Sequence, residues 1–227
     1  MKELFEKVLQ YLPRYFLDFG EVFSGPKTFI GQRNLASAEA FPDALLFFGI
    51  SIVLLIALQL PIQPADQDFW KFAGSVGVLQ LIAVTLSAVI TRVAWWLVGG
   101  RASGQSFFIT YAYFGGVMIV LISAIQLLAF GVVKIFDPKF FQQLVDAPKM
   151  DSVAPQTDEQ SVLFLIFGAI VAVGIVLVSA WFFIGWGAFR QLNALSKWRS
   201  LAAAIIYGLF AIPAGAAVLF IAAAMGR

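Results

Sequence analysis

The chain contains no cysteine and no histidine. Disulfides, thiolate nucleophiles, zinc sites built on Cys or His and histidine-ligated haem are therefore excluded together. A histidine general base goes with them. Charge is also scarce: only 12% of the 227 residues are charged, and the formal net charge is +2. No Asp or Glu falls within the core of any long apolar run. An intramembrane carboxylate relay or cation site therefore has nothing to build on. Nothing resembles a Gly-rich phosphate loop, a serine nucleophile elbow or a nucleic-acid motif. No cofactor, metal, nucleic-acid partner or enzymatic activity is expected.

What the chain has in abundance is apolar sequence, 61% of all residues, with a mean hydropathy of +0.89. It is concentrated in Phe41–Leu60, Phe72–Thr91 (continuing past Arg92 to Val98), Phe107–Val133, Ser161–Phe189 and Leu201–Met225. Each run reaches the roughly 20 residues a helix needs to cross a hydrocarbon core about 30 Å thick. In lipid every backbone group must be satisfied internally, which leaves helices or a closed barrel. The runs are continuous and much longer than the about 10 residues of a barrel strand. The expected fold is all-α: a polytopic membrane protein with five transmembrane helices in one bundle and short interfacial amphipathic helices.

Residues 1–40 form an arm, 41–226 the membrane domain, and 134–160 a loop with a short surface helix. The arm is charged throughout, so no cleavable signal peptide is expected and the first span serves as the insertion signal. Leu4, Phe5, Val8, Leu9 and Leu12 oppose Lys2, Glu3, Glu6 and Lys7, an amphipathic pattern that Pro13 is expected to end or bend. Such a helix lies in the membrane interface or packs on the end of the bundle. Ser37 with Glu39 marks a helix start before the first span. In the long loop, Asp137-Pro138 reads as a helix N-cap and first-turn proline. Phe140, Phe141, Leu144 and Val145 follow on one apolar face, and then an acidic tether with Asp151, Asp158 and Glu159.

Lys and Arg set orientation. Ten of the fifteen lie on one side: Lys2, Lys7, Arg14, Lys27 and Arg33 in the arm, Arg92 and Arg101 after the second span, and Arg190, Lys197 and Arg199 after the fourth. The N-terminus is therefore expected in the cytoplasm and the C-terminus outside, in a bacterial inner membrane. Arg92 is flanked on both sides by apolar residues. It either snorkels to the interface or forms a lipid-headgroup or partner site with Arg101, Arg190, Lys197 and Arg199. Trp95-Trp96 and Trp198 are expected at headgroup depth.

Ser87, Thr85 and Gln80 in the second span, and Thr110, Ser123 and Gln126 in the third, are read as interhelical hydrogen-bonding residues or the lining of a cavity. Small residues four apart (Ala112 and Gly116, Gly168 and Ala172, Ala204 and Gly208, Ala211 and Gly215) are expected to let helices touch, within the bundle or against another protein. Pro213 should kink the last span.

Four segments resemble the Yip domain family, the Ypt/Rab-interacting proteins and their bacterial relatives. They are Phe23-Ser24-Gly25-Pro26, Arg92-Val93-Ala94-Trp95-Trp96-Leu97, Ser106-Phe107-Phe108 leading into Tyr111-Ala112-Tyr113, and Phe189-Arg190-Gln191. The resemblance implies a five-helix bundle with a cytoplasmic N-terminus. Eukaryotic members associate with Rab-type GTPases through a longer N-terminal region than this arm, so the bacterial type is the nearer likeness. The expected function is non-enzymatic binding of membrane lipids, anionic ones preferred, and of a membrane protein partner or a second copy. The alternative is a transporter or permease component for a lipid or other amphipathic substrate.

Overall fold

The computed structural model describes residues 2–63, 68–146 and 157–225. Among them there is no strand. The helices are α1 (Lys2–Ser24), α2 (Pro26–Gln32), α3 (Ala40–Gln59, extended by a 3₁₀ turn to Ile62), α4 (Phe69–Leu97), α5 (Gly104–Phe136), α6 (Pro138–Asp146), α7 (Asp158–Leu192) and α8 (Lys197–Met225). Five of them, α3, α4, α5, α7 and α8, are long and apolar enough to cross a membrane. This is an integral membrane protein. Lys149, Asp151 and Arg227, and the side chains of Leu4, Phe5, Val8, Leu9 and Val145, lie outside the described residues.

Polar caps fix where the long helices begin. Asp68 accepts from the backbone N–H groups of Trp70 and Lys71 at 2.9 and 3.0 Å. Ser103 accepts from Ser106 at 3.1 Å, and Thr157 from Gln160 at 3.1 Å. Each satisfies a donor that a helix start leaves free. Asp137 caps α6 as expected, accepting from Phe140 at 2.9 Å. The start of α3 differs from expectation: it follows Glu39 with no side-chain cap.

The α5 helix is the centre, with α3 and α7 packed along it and α6 folded back on its far end. The α4 and α8 helices pair with each other. They join the rest through Tyr111 of α5, which donates to Ser87 Oγ at 2.6 Å, and through the Tyr207 ring, 5.9 Å from Phe182 and 5.7 Å from Trp186 of α7; Tyr207 also lies 3.1 Å from Ser87 Oγ within the pair. Gln59 reaches Gln126 at 3.0 Å. Thr110 and Ser123 instead donate to carbonyls of their own helix, those of Ser106 and Ile119. The large hydrophobics turned outward, such as Val176, Leu177 and Phe183 on α7, are the surface that hydrocarbon must cover.

The structure bears on two sequence expectations. Pro13, expected to end or bend its helix, does not end it, for α1 runs on to Ser24. Of the small residues expected at helix contacts, Gly116 is one: an added Cβ would meet Ser51 Oγ at 2.7 Å and Phe47 Cε1 at 2.8 Å. At Gly168, Gly208 and Gly215 no described residue lies within 4 Å of a Cβ, so these three make no such contact among the described residues. Pro213 is exposed within a helix that continues past it. Close approach occurs instead at Gly174, against Ile125, and at Gly185, against Phe114.

Candidate functional site

The chemistry gathers at the end of the bundle that carries the arm. On α1, Tyr11, Tyr15, Asp18 and Val22 are spaced four, three and four apart, so they share one face, and all four are buried. Tyr15 packs its ring on Phe47 at 4.7 Å and shares a 3.0 Å hydrogen bond with Ser51 Oγ. The Tyr11 hydroxyl donates to Asp18 at 3.2 Å. Trp181 of α7 donates from Nε1 to the Phe23 carbonyl at 2.9 Å. From Tyr11 to Phe23 the arm is folded onto the bundle.

Asp18 is the buried carboxylate of this end, and Arg33 pairs with it. Arg33 also donates to the Tyr113 hydroxyl at 2.7 Å and lies 4.1 Å over the Phe29 ring. Arg14 stands 3.8 Å from Asp18 and 2.7 Å from Asp43. Burial pushes the Asp18 carboxyl above its ordinary value, while Arg33, Arg14 and the Tyr11 hydroxyl pull it back. Burial pushes the Tyr11 hydroxyl up as well. A buried charge left without its partner is expensive, so this cluster pins the arm.

The turns between α4 and α5 and between α7 and α8 meet beside it. Gly99, at φ +93°, takes the left-handed conformation that lets α4 end. At Gly100 a Cβ would meet Asn193 Oδ1 at 2.5 Å and the Trp95 carbonyl at 2.7 Å, so only glycine fits. Asn193, itself buried, accepts from Ala102 at 3.3 Å and donates to the Phe189 carbonyl at 2.9 Å.

Among the basic residues singled out in the sequence, Arg101, Lys197 and Arg199 are exposed, and Arg92 and Arg190 are half-buried. The Gly99 backbone faces Arg199, with a 3.5 Å gap from a Cβ position to its Nη1. Arg92 sits 5.5 Å over the Phe107 ring. None of the five makes an ion pair among the described residues; the pairs belong to Arg14 and Arg33. Trp96 and Trp198 face outward, but Trp95 is fully buried against Trp186 at 5.0 Å. Trp186 satisfies its Nε1 on the Ser200 carbonyl at 3.2 Å.

Two buried donors at this end lack an acceptor among the described residues, Arg92 Nη1 and Trp95 Nε1. They stand three residues apart on α4. An unmet buried donor costs roughly 1–3 kcal/mol, more when charged, so an acceptor is wanted at each. An anionic oxygen satisfies that demand best. The described residues hold no group of three or more Asp, Glu, His or Cys able to bind a metal.

Asp18, Arg33 and Tyr113 were not singled out as a site by sequence. Their signal was the spacing of Tyr11, Tyr15, Asp18 and Val22, which reads as one helix face only if the helix continues through Pro13. Compared with known protein families, curated proteins and solved structures, the chain matches none.

Proposed function

We propose that this integral membrane protein is a non-enzymatic, Yip-type component of a bacterial inner membrane that binds anionic lipid, and through it a membrane partner, at its arm-bearing end. The observation that carries the reading is the pair of buried donors on Arg92 and Trp95 without an acceptor among the described residues. The exposed Arg101, Lys197 and Arg199 add positive charge at the same end. Basic pockets between spans on the cytoplasmic side attract anionic headgroups.

This end is assigned to the cytoplasm. The arm, the α4–α5 turn and the α7–α8 turn lie together there and carry ten of the fifteen basic residues. The positive-inside rule sets orientation from that bias. The C-terminus is then extracytoplasmic.

Native mass spectrometry with matched anionic and zwitterionic lipids tests the function. The parent is expected to retain anionic lipid selectively, and a variant carrying Arg92→Gln and Arg190→Gln to lose that selectivity with topology intact. Equal retention of both lipid classes by parent and variant contradicts the reading.

A further inference from the structure

A crevice of about 260 Å³ opens between α3, α4 and α5, lined by residues that include Phe48, Thr85, Ala88, Phe108 and Ala112. The Tyr111 hydroxyl on its wall is already spent on Ser87 at 2.6 Å. Apart from Thr85 the rest of the lining is apolar. Thr85, Ala88 and Arg92 follow one another at three- and four-residue steps, so they lie along one face of α4. From Thr85 to Arg92 is about 10 Å of helix at 1.5 Å per residue. On α5, Phe107, over which Arg92 lies, precedes Phe108 of the crevice wall. Arg92 is not itself a lining residue: it lies one turn beyond Ala88 toward the arm-bearing end, half-buried, with Nη1 unpartnered among the described residues.

We infer that the crevice and Arg92 form a single glycerophospholipid site, one acyl chain lying along Thr85, Ala88 and Ala112 and the phosphate accepting from Arg92. This rests on the lipid-binding reading above and names the site and the chemistry of its occupant. Charge complementarity selects a lipid: an apolar slot with an unsatisfied cation at its interfacial end matches a hydrocarbon chain joined to a phosphate. The volume lies just under the roughly 300 Å³ lower limit of ordinary small-molecule pockets. It has room for part of one acyl chain. A phosphate oxygen would give Arg92 the charge-assisted bond it lacks.

The test uses the full chain in neutral detergent with phosphatidylglycerol that carries a diazirine on one acyl chain. Irradiation is expected to label Val84, Ala88 or Ala112. Diacylglycerol with the same chain but no phosphate should label these positions at least tenfold less, and Arg92→Gln should lower the phosphatidylglycerol label by a similar factor. Thr85→Trp fills the open side of the crevice and should abolish the label with the melting temperature unchanged. Competition by millimolar glycerol phosphate would mark a site for a soluble phosphate and overturn the lipid assignment. A crosslink from these positions to a second copy or another protein, in place of lipid, would overturn it as well. Retained anionic lipid that labels only the outward face of α7 sinks the crevice and leaves the broader function standing. No retained anionic lipid at all sinks both.

Discussion

Replacing Gly185 by alanine adds one methyl group at the tightest point of the bundle. The new Cβ would fall within the van der Waals shell of the Phe114 ring, under contact distance to Cε2 and 2.7 and 2.8 Å from Cδ2 and Cζ. The ring has nowhere to go. It is stacked on Trp181 at 4.7 Å and 12°, and it meets Phe189 edge-on at 5.6 Å and 89°. Overpacking of a filled core costs about 1–3 kcal/mol, and a site this enclosed belongs in the upper part of that range. Against it stands the roughly 0.8–1.0 kcal/mol by which alanine outdoes glycine inside a helix. The net expectation is a loss of about 2 kcal/mol. Gly208→Ala in α8 makes the same chemical change where nothing lies within 4 Å, so it should keep the propensity gain and lose nothing. Reversible unfolding in mixed detergent micelles, followed by tryptophan fluorescence, measures both. Because Trp181 also holds the Phe23 carbonyl at 2.9 Å, Gly185→Ala should in addition make the arm more susceptible to protease. If the two variants unfold alike, the packing described around Phe114 is wrong.

Three further outcomes are expected. Arg33→Met leaves the buried Asp18 with only the half-exposed Arg14 at 3.8 Å and the Tyr11 hydroxyl, a loss on the order of 3 kcal/mol; limited proteolysis should then cut the arm while the spans stay intact, and an arm as resistant as the parent's would contradict its pinning. The Asp137 carboxyl is held below its ordinary value by hydrogen bonds from the Phe140 N–H and from Gln160. Its contribution to seating α6 is therefore present above the ordinary carboxylate range and lost as pH falls through the lowered value. A fluorophore on Gln143→Cys should report that loss in the parent and not beside Asp137→Asn. Finally, with no native cysteine, an impermeant thiol reagent on intact cells with a permeabilised outer envelope should label Gln143→Cys and spare Ala38→Cys, both at exposed positions; the reverse pattern overturns the orientation.

The five spans were legible because run length alone decides whether a helix can cross a bilayer. The side of the bundle that gathers basic charge was legible for a similar reason: it depends on which turns share an end, and alternation of spans fixes that. The arm was not. Proline in a helix costs about 3 kcal/mol, and only burial of Tyr11, Tyr15, Asp18 and Val22 against the bundle offsets it. That burial is a tertiary fact. The glycines failed for a different reason. A four-residue spacing of small residues marks a smooth stripe on a helix without saying which way the stripe faces. Gly208 and Gly215 face open space, while Gly174 and Gly185, in no such expected pair, sit beneath Ile125 and Phe114. Adjacent tryptophans divided likewise: Trp96 points out and Trp95 in, because consecutive helical positions lie about 100° apart. Arg92 was found by its apolar flanks, but its unsatisfied nitrogen depends on what Phe107 and the helix ends enclose.

The most direct test of the account is the distance from the Arg92 guanidinium to a lipid phosphorus. Protein with ¹⁵N-labelled arginine in phosphatidylglycerol bilayers allows it to be read by ¹⁵N–³¹P dipolar recoupling in solid-state NMR. A charge-assisted bond of about 2.8 Å between nitrogen and oxygen puts phosphorus about 4 Å from the nitrogen. The account predicts a short-range contact of that length in the parent that disappears in Arg92→Gln. Identical dephasing in the two proteins would contradict it.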